Sequence, residues 1–268
     1  MSTAIDGLGP DTTGWRFLRK WQTALPPPRF LARQKHSVGR MPRNQRCVMP
    51  GQAYHITQRG TNRQRVFFTD TDRSTYLRLM SQNLTDAGVR VLAWCLMTNH
   101  VHFVAVPEQS DSLAVLWRRV HGRFAQMMNA RLSRSGHLWQ NRYYSCALSP
   151  THLRRALAYV ERNPVRAALA GRPEEYKWSS AAAHLGLVKD RYSLLDKEFW
   201  REQGGAEGWT ELLATPEEAL ELRLLRRCTY AGRPYGESEY VAEFEAAFGR
   251  AWRKWGFEKE RMTCGLAG

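Results

Sequence analysis

The order of apolar and polar positions between residues 52 and 164 predicts a mixed α/β domain. The segment AYHITQRG, residues 53–60, alternates and ends in glycine, which is typical of a strand followed by a turn. Residues 69–88 open with Thr and Asp capping candidates, place apolar side chains at helical spacing and stop at a glycine. VRVLAWCLM and HVHFVAVP then predict two strands joined by a tight turn at residues 98–99.

Two helices and one more strand complete this domain. Residues 110–136 predict a long helix with an apolar stripe of Leu113, Leu116, Val120, Phe124, Met127 and Met128. RYYSCALS predicts a fourth strand, and a helix follows that is opened by Pro150 and closed before Pro164. The first six elements have the order of a split βαβ, ferredoxin-like fold. We therefore expect an α+β domain with a four-stranded antiparallel sheet, helices on one face, and the other face free for a ligand or another helix.

The segments on either side of this domain have a different character. Residues 1–50 have no steady period, contain ALPPPRF and carry scattered basic side chains, which favours a flexible arm. Residues 186–268 predict two or three helices joined by a Gly/Pro turn. We expect three parts: a basic arm over 1–50, the α+β domain over 51–185, and a small C-terminal helical module over 186–268.

Charge and composition point to a polyanionic partner. The chain has 268 residues, 43% of them hydrophobic, and a net charge of +15. Residues 51–185 carry 18 basic and 8 acidic residues, and 17 of those 18 are arginine. This excess favours nucleic acid first and an anionic membrane second, and the arginine fork suits phosphate. A GC-rich genome also favours arginine codons, so composition alone leaves both explanations open.

Other features exclude whole classes of protein. The five cysteines are an odd number without CxxC spacing, which indicates reduced thiols and neither a disulfide nor a zinc framework. The longest apolar run, residues 91–97, is too short to span a bilayer, and the N-terminus lacks an apolar signal core. We expect a cytoplasmic protein without a membrane partner.

The third predicted strand carries two histidines, His100 and His102. Side chains alternate along a strand, so both imidazoles face one side while Val101 and Phe103 face the apolar side. Two imidazoles at this spacing can share one divalent metal. The alternative is an ordinary hydrogen-bonded histidine beside a second one present by chance.

The following helix offers a nucleophile, Tyr159. At about 100° per residue, Tyr159 lies roughly 120° from the centre of the apolar stripe. Its neighbours one turn away are Arg155 and Asn163, so the three share a polar face that we expect to point outward. A phenol there can attack a phosphodiester, with Arg155 screening the phosphate and the Asn163 amide oxygen available to a metal. The alternative is a half-exposed aromatic on a surface helix.

Further aromatic and basic residues are candidates for contact with DNA. Tyr143 and Tyr144 are rival nucleophiles, but they lack a metal-ligand partner one turn away, so base stacking or core packing suits them better. The arginines of the long helix can track a phosphate backbone, or they form a solvated basic face. The predicted DNA contacts are Arg118, Arg119, Arg123, Arg142, Tyr143 and Arg155.

Four stretches agree in order and spacing with a known family: YHITQRGTNRQRVFF, NHVHFV, RSGHLWQNRYYSC and YVERNPVRA. Together they resemble the REP-associated tyrosine transposases, a branch of the IS200-like, HUH single-tyrosine superfamily. The resemblance covers about residues 51–184, and AGRPYG resembles the family's C-terminal extension. Thr98 departs from the pattern, where proline is commoner, and the first 40 residues have no counterpart.

The resemblance implies an HUH nuclease fold and a set of roles. His100, His102 and Asn163 would bind Mg²⁺ or Mn²⁺, and Tyr159 would be the nucleophile. The implied activity is that of a transposase: a single-stranded DNA endonuclease and strand transferase that acts on palindromic repeat hairpins through a 5′-phosphotyrosine. The implied partner is single-stranded or hairpin DNA, with no protein partner, in a monomer or homodimer. His55, on a neighbouring strand, is a candidate neighbour of this site but is not among the expected ligands.

Two other functions compete with this one. A binding module would hold DNA or RNA hairpins without cutting them, but such a module has no use for two histidines, an asparagine and a tyrosine in this pattern. A replication initiator or relaxase would share the chemistry, but those proteins fit other surrounding motifs, and this chain lacks an ATPase loop of the type GxxxxGK[ST].

Overall fold

Four antiparallel strands form one sheet in the computed structural model, which describes residues 46–252. Most of the expected N-terminal arm, and the chain beyond residue 252, lie outside the described residues. The sheet order is β2-β3-β1-β4. The strands are β1 (Tyr54–Arg59), β2 (Val89–Leu96), β3 (His100–Pro107) and β4 (Tyr144–Ala147).

Helices lie between and after these strands. The helices are α1 (Asp70–Ala87), α2 (Ser112–Arg131), α3 (Pro150–Glu161), α4 (Asn163–Arg166), α5 (Ala181–His184), α6 (Lys197–Glu202), α7 (Gly205–Ala214), α8 (Ala219–Ala231) and α9 (Ser238–Phe248). The predicted α+β fold class and the four-stranded antiparallel sheet are confirmed. α6 and α7 fall where the sequence predicts only loops. None of the helices in residues 46–252 has the length and apolar character needed to cross a bilayer.

Each face of the sheet has its own hydrophobic core. On one face, Ile56 and Phe103 pack with the apolar stripes of α1 and α2. On the other, Val104 and Cys146 pack with α3 and with side chains of α6 to α8. α3 lies over β2 and β3, and α8 lies over β4 and β1. The face expected to take a ligand or another helix is covered by two helices side by side.

The AGRPYG loop after α8 fastens the C-terminal helices to the sheet edge. The Tyr235 amide donates to the carbonyl of Ala147 at 2.8 Å, and its carbonyl accepts from the Ser149 amide at 2.9 Å. Gly232 ends α8 with a φ of 63°, in the left-handed region that glycine adopts without a Cβ penalty. Because these bonds cap the exposed edge of β4, the sheet and the C-terminal helices form a continuous structure across residue 185.

The helix that carries Tyr159 is anchored at its end by Glu161. This carboxylate is fully buried and accepts hydrogen bonds from three donors: the Ser180 hydroxyl, the His184 ring at 2.6 Å and the Trp209 indole at 2.8 Å. A buried charge is tolerated only where such donors replace water. The network ties α3 to the chain on both sides of residue 185.

Candidate active site

The register of β1 against β3 places the two predicted metal ligands. Thr57 lies opposite His102 and Arg59 lies opposite His100. The His100 and His102 rings therefore share one face of the sheet, with their centroids 4.9 Å apart and their planes at 81°. This is the face covered by α3 and α8, so the imidazoles lie between the sheet and the helices.

A backbone-anchored amide orients the ring of His100. The Asn99 amide nitrogen donates to the carbonyl of Arg63 at 2.9 Å, which turns the amide oxygen toward His100. Nδ1 of His100 then donates to that oxygen at 2.7 Å. In a neutral imidazole the other nitrogen carries the lone pair, so Nε2 of His100 is available to a metal.

The ring of His102 is held by another histidine. Nδ1 of His102 lies 3.0 Å from Nε2 of His55 on β1, and the two rings stack at 10° with centroids 5.2 Å apart. Burial, with a contribution from nearby Arg59, lowers the pKa of His100 to about 4. Burial and the neighbouring His100 and His55 rings hold the pKa of His102 well below its usual value. Neutral imidazoles are the form that binds metal.

Tyr159 meets the histidines from α3. Its side chain is 3% exposed, and its ring stands edge-on to His102 and His55 at centroid distances of 5.6 and 5.4 Å. The expectation that Tyr159 points outward was wrong, because α8 covers the side of α3 that the helical wheel left polar. Nε of Arg226, on α8, donates to the Tyr159 hydroxyl at 3.2 Å, and the Arg166 guanidinium lies 4.2 Å from the ring centroid.

The two residues expected beside Tyr159 have different surroundings. Arg155 pairs with Glu221 at 3.1 Å, so the guanidiniums nearest the Tyr159 ring come from Arg166 and Arg226. Asn163 is buried at the start of α4, and its amide nitrogen donates to the carbonyls of Tyr159 at 3.1 Å and Val160 at 3.2 Å. Those bonds leave the amide oxygen of Asn163 as the end that can face a metal.

The donor set fits a divalent ion with an incomplete protein shell. Among residues 46–252, no three histidine, cysteine or carboxylate side chains are placed to hold a metal. Two imidazole nitrogens and one amide oxygen would leave several positions for water and phosphate oxygens. Mg²⁺ and Mn²⁺ commonly retain such ligands in phosphoryl-transfer sites.

The predicted DNA contacts are distributed over both faces of the molecule. Arg118, Arg119 and Arg123 are exposed on α2, which covers the sheet face opposite the histidines. Arg142 is exposed just before β4. Tyr143 is buried under the guanidinium of Arg46, 3.7 Å from its ring centroid, so its ring is not available for stacking on a base.

The neighbour of Tyr143 occupies a different position. Tyr144 lies opposite Thr57 and therefore on the histidine face, at the edge strand of the sheet. Its ring packs edge-on against Tyr230 of α8 at 5.0 Å, and Tyr230 is half exposed. Of the two adjacent tyrosines, Tyr144 is the one that an unpaired base could reach.

Comparison with known proteins bears on the same residues. A family model described as "Transposase IS200 like" matches residues 49–163, the stretch that contains His100, His102, Tyr159 and Asn163. This segment is similar to the IS200-like transposase family. The match ends at Asn163, before Arg166 and before the C-terminal helices that cover Tyr159.

Two solved structures are similar to parts of the chain. One, a REP-associated tyrosine transposase bound to a REP hairpin, is 20% identical over 55% of this chain and 88% of that one, with a TM-score of 0.48. The other, a putative transposase from Deinococcus radiodurans R1, is 15% identical over 49% of this chain and 97% of that one, with a TM-score of 0.31. No curated protein matches the chain.

Three residues at this site were not among the predicted ones: His55, Arg166 and Arg226. His55 was detectable, because a ferredoxin-like order pairs β1 with β3, and alternation puts His55 on the face of His102. Arg166 lies in the quoted stretch YVERNPVRA, but that stretch does not indicate a contact with the Tyr159 ring, and Arg226 carries no signal of its own. Their approach to Tyr159 depends on how the chain folds back after α3.

Proposed function

We propose that this IS200-like transposase cuts and rejoins single-stranded DNA at palindromic repeat hairpins, with Tyr159 as the nucleophile and a 5′-phosphotyrosine as the intermediate. The observation that carries the proposal is the position of Tyr159. Its ring lies against His102, its hydroxyl accepts from Arg226, and a second guanidinium lies over its ring. A tyrosine with only a packing role has no need of two cations and two imidazoles.

In the proposed reaction, Tyr159 attacks the phosphodiester, and Arg226 and Arg166 stabilise the charge that develops. The Tyr159 oxygen attacks phosphorus, the bond to the 3′-oxygen breaks, the phenol loses its proton and the departing 3′-oxygen gains one. The products are a 5′-phosphotyrosine and a free 3′-OH, and attack by a 3′-OH reverses the step without an external energy source. Arg226 and Arg166 stand where they can offset charge that develops on the phosphate.

A divalent cation is the proposed cofactor. His100 and His102 would hold it through Nε2, because their Nδ1 atoms are engaged by Asn99 and His55, and Asn163 would add an amide oxygen. When bound, Mg²⁺ or Mn²⁺ supplies Lewis-acid polarisation of the phosphodiester and a template for its orientation.

The decisive experiment is Tyr159→Phe, assayed on a hairpin with a single-stranded flank taken from inverted repeats near the gene. The change removes one oxygen and one hydrogen bond, about 1 kcal/mol of stability, so the variant should fold and bind the hairpin. It should not cut. The unmodified chain with Mn²⁺ should give an adduct that survives denaturation and maps to the Tyr159 peptide by mass spectrometry.

Tyr144→Phe is the matched control, because it removes the same atom from a tyrosine on the same sheet face. It should cut normally. An adduct on Tyr144, or cutting by Tyr159→Phe, would overturn the assignment of the nucleophile. Hairpin binding by the unmodified chain with neither an adduct nor cutting would favour the alternative of a binding module.

A further inference from the structure

A chain of hydrogen bonds connects His102 to the C-terminal helix α8. Nδ1 of His102 lies 3.0 Å from Nε2 of His55, and Nδ1 of His55 lies 2.7 Å from the hydroxyl of Thr229. That hydroxyl is itself 2.7 Å from the carbonyl of Leu225, one turn earlier in α8. His55, His102 and Thr229 are all buried, so water does not compete for these groups.

The carbonyl of Leu225 fixes which atom donates in each of these hydrogen bonds. A backbone carbonyl only accepts, so the hydrogen bond to Leu225 uses the single hydroxyl proton of Thr229, and the Cys146 thiol, 3.2 Å from the same oxygen, is then a donor to it. The Thr229 oxygen must then accept from Nδ1–H of His55, which leaves Nε2 of His55 as an acceptor. Nε2 of His55 in turn accepts from Nδ1–H of His102. Each neutral ring has one proton, so Nε2 of His102 has none.

We propose that His55 and Thr229 are positioning residues that keep Nε2 of His102 unprotonated and ready to bind a divalent metal. This rests on the metal site of the proposed function. The family match ends at residue 163, so it includes His102 but not Thr229. The proposal goes beyond that match, because it has Thr229 set the position of the proton on His102. α8, the helix that carries Thr229, would then be part of the metal site.

Removing the Thr229 hydroxyl should exchange donor and acceptor in the hydrogen bond between His55 and His102. In Thr229→Val the Nδ1–H of His55 has no acceptor in a buried site, which is unfavourable by about 1–3 kcal/mol. The proton of His55 can move to Nε2 and donate to Nδ1 of His102. The proton of His102 would then occupy Nε2, the atom that a metal needs.

The first test requires no metal. Long-range ¹H–¹⁵N correlation on the histidine-labelled full chain should show His102 and His55 both neutral and both protonated on Nδ1. Thr229→Val should show His102 protonated on Nε2. Protonation of His102 on Nε2 in the unmodified chain would overturn the proposal, whatever the metal does.

The second test measures Mn²⁺ binding by titration calorimetry without DNA. Thr229→Val should bind Mn²⁺ about 10- to 100-fold more weakly, the range found when an outer partner of a metal ligand is lost. Thr229→Ser keeps the hydroxyl and should bind Mn²⁺ like the unmodified chain. Thr57→Val is the matched control. Thr57 is also buried on this face, but it donates to the Val101 carbonyl and is not part of the series of hydrogen bonds from His102 through His55 to Thr229, here called the relay.

The outcomes separate the relay from the metal site. Equal Mn²⁺ affinity in Thr229→Val and the unmodified chain would overturn the relay while leaving the proposed function intact. The expected Nδ1–H forms in a chain that does not bind Mn²⁺ would overturn the metal site instead, and with it the purpose of the relay. Equal weakening by Thr57→Val and Thr229→Val would mean that any lost buried hydroxyl disturbs the site, which also counts against the relay.

Discussion

Glu161 offers a stability test of the anchor that holds the Tyr159 helix. Glu161→Gln keeps the volume of the side chain but replaces one acceptor oxygen with an NH₂ group. The carboxylate now serves Ser180 and His184 through one oxygen and Trp209 through the other. In either orientation of the amide, at least one of these buried donors faces another donor.

The expected loss follows from that count. An orphaned buried donor costs about 1–3 kcal/mol, so Glu161→Gln should lower the free energy of unfolding by that amount. Glu161→Ala orphans His184 and Trp209, while Ser180 keeps the Trp94 carbonyl as an acceptor, and it should lower the free energy of unfolding by about 2–6 kcal/mol, against a total of roughly 5–15 kcal/mol for a typical domain. The alanine variant is therefore close to the limit at which the chain still folds.

Urea unfolding followed by tryptophan fluorescence measures this loss, and Trp209 reports from within the network. Glu207→Gln is the matched control, because Glu207 is exposed on the same helix as Trp209 and should change stability very little. A Glu161→Gln variant as stable as the unmodified chain, with an unchanged urea dependence, would refute the reasoning.

Three further predictions concern charge. Arg226→Gln should slow cleavage by about 10²-fold and change hairpin affinity little, because the guanidinium contacts the Tyr159 hydroxyl; equal losses in a gel-shift and a cleavage assay would contradict this. Arg118→Gln should weaken hairpin binding and reduce the salt slope by about 0.7–0.9, and an unchanged slope would place the DNA elsewhere. Burial lowers the pKa of His121 to about 3, so between about pH 4 and 6 the unfolded chain binds a proton at this residue that the folded chain does not, and the free energy of unfolding falls as the pH is lowered. In urea titrations over this range, the free energy of unfolding of His121→Gln should fall by about 1.4 kcal/mol less per pH unit than that of the unmodified chain.

The sheet and the histidine face were predictable because they depend on local periodicity. Strand alternation places His100 and His102 together whatever covers them. Helical spacing gives the boundaries of α1 and α3 closely, while α2 ends at Arg131, five residues before the predicted end. The same logic failed for Tyr159. A helical wheel identifies one buried stripe, but α3 contacts the sheet on one side and its neighbour α8 on another, so it is buried on two sides.

The surroundings of the candidate nucleophile depend on contacts distant in sequence. Thr229 and Arg226 lie on a helix whose own pattern shows only that one face is apolar. Nothing local indicates that this helix lies beside α3, over β1 and β4, or that its polar side chains reach a histidine and a tyrosine. Contacts between segments so far apart in sequence can be seen only in the three-dimensional structure.

The separation of His55 and Thr229 along the chain has a consequence for biosynthesis. They are 174 residues apart, and a ribosome adds roughly 5–20 residues per second, so about 9 to 35 seconds pass between the synthesis of the first and the second. During most of that interval the nascent chain already has both histidines of β3 but not the helix that orders the proton of His102. A chain released early, or cut before α8, would carry the tyrosine and the histidines without the finished site. Full metal affinity would then require that synthesis has passed α8.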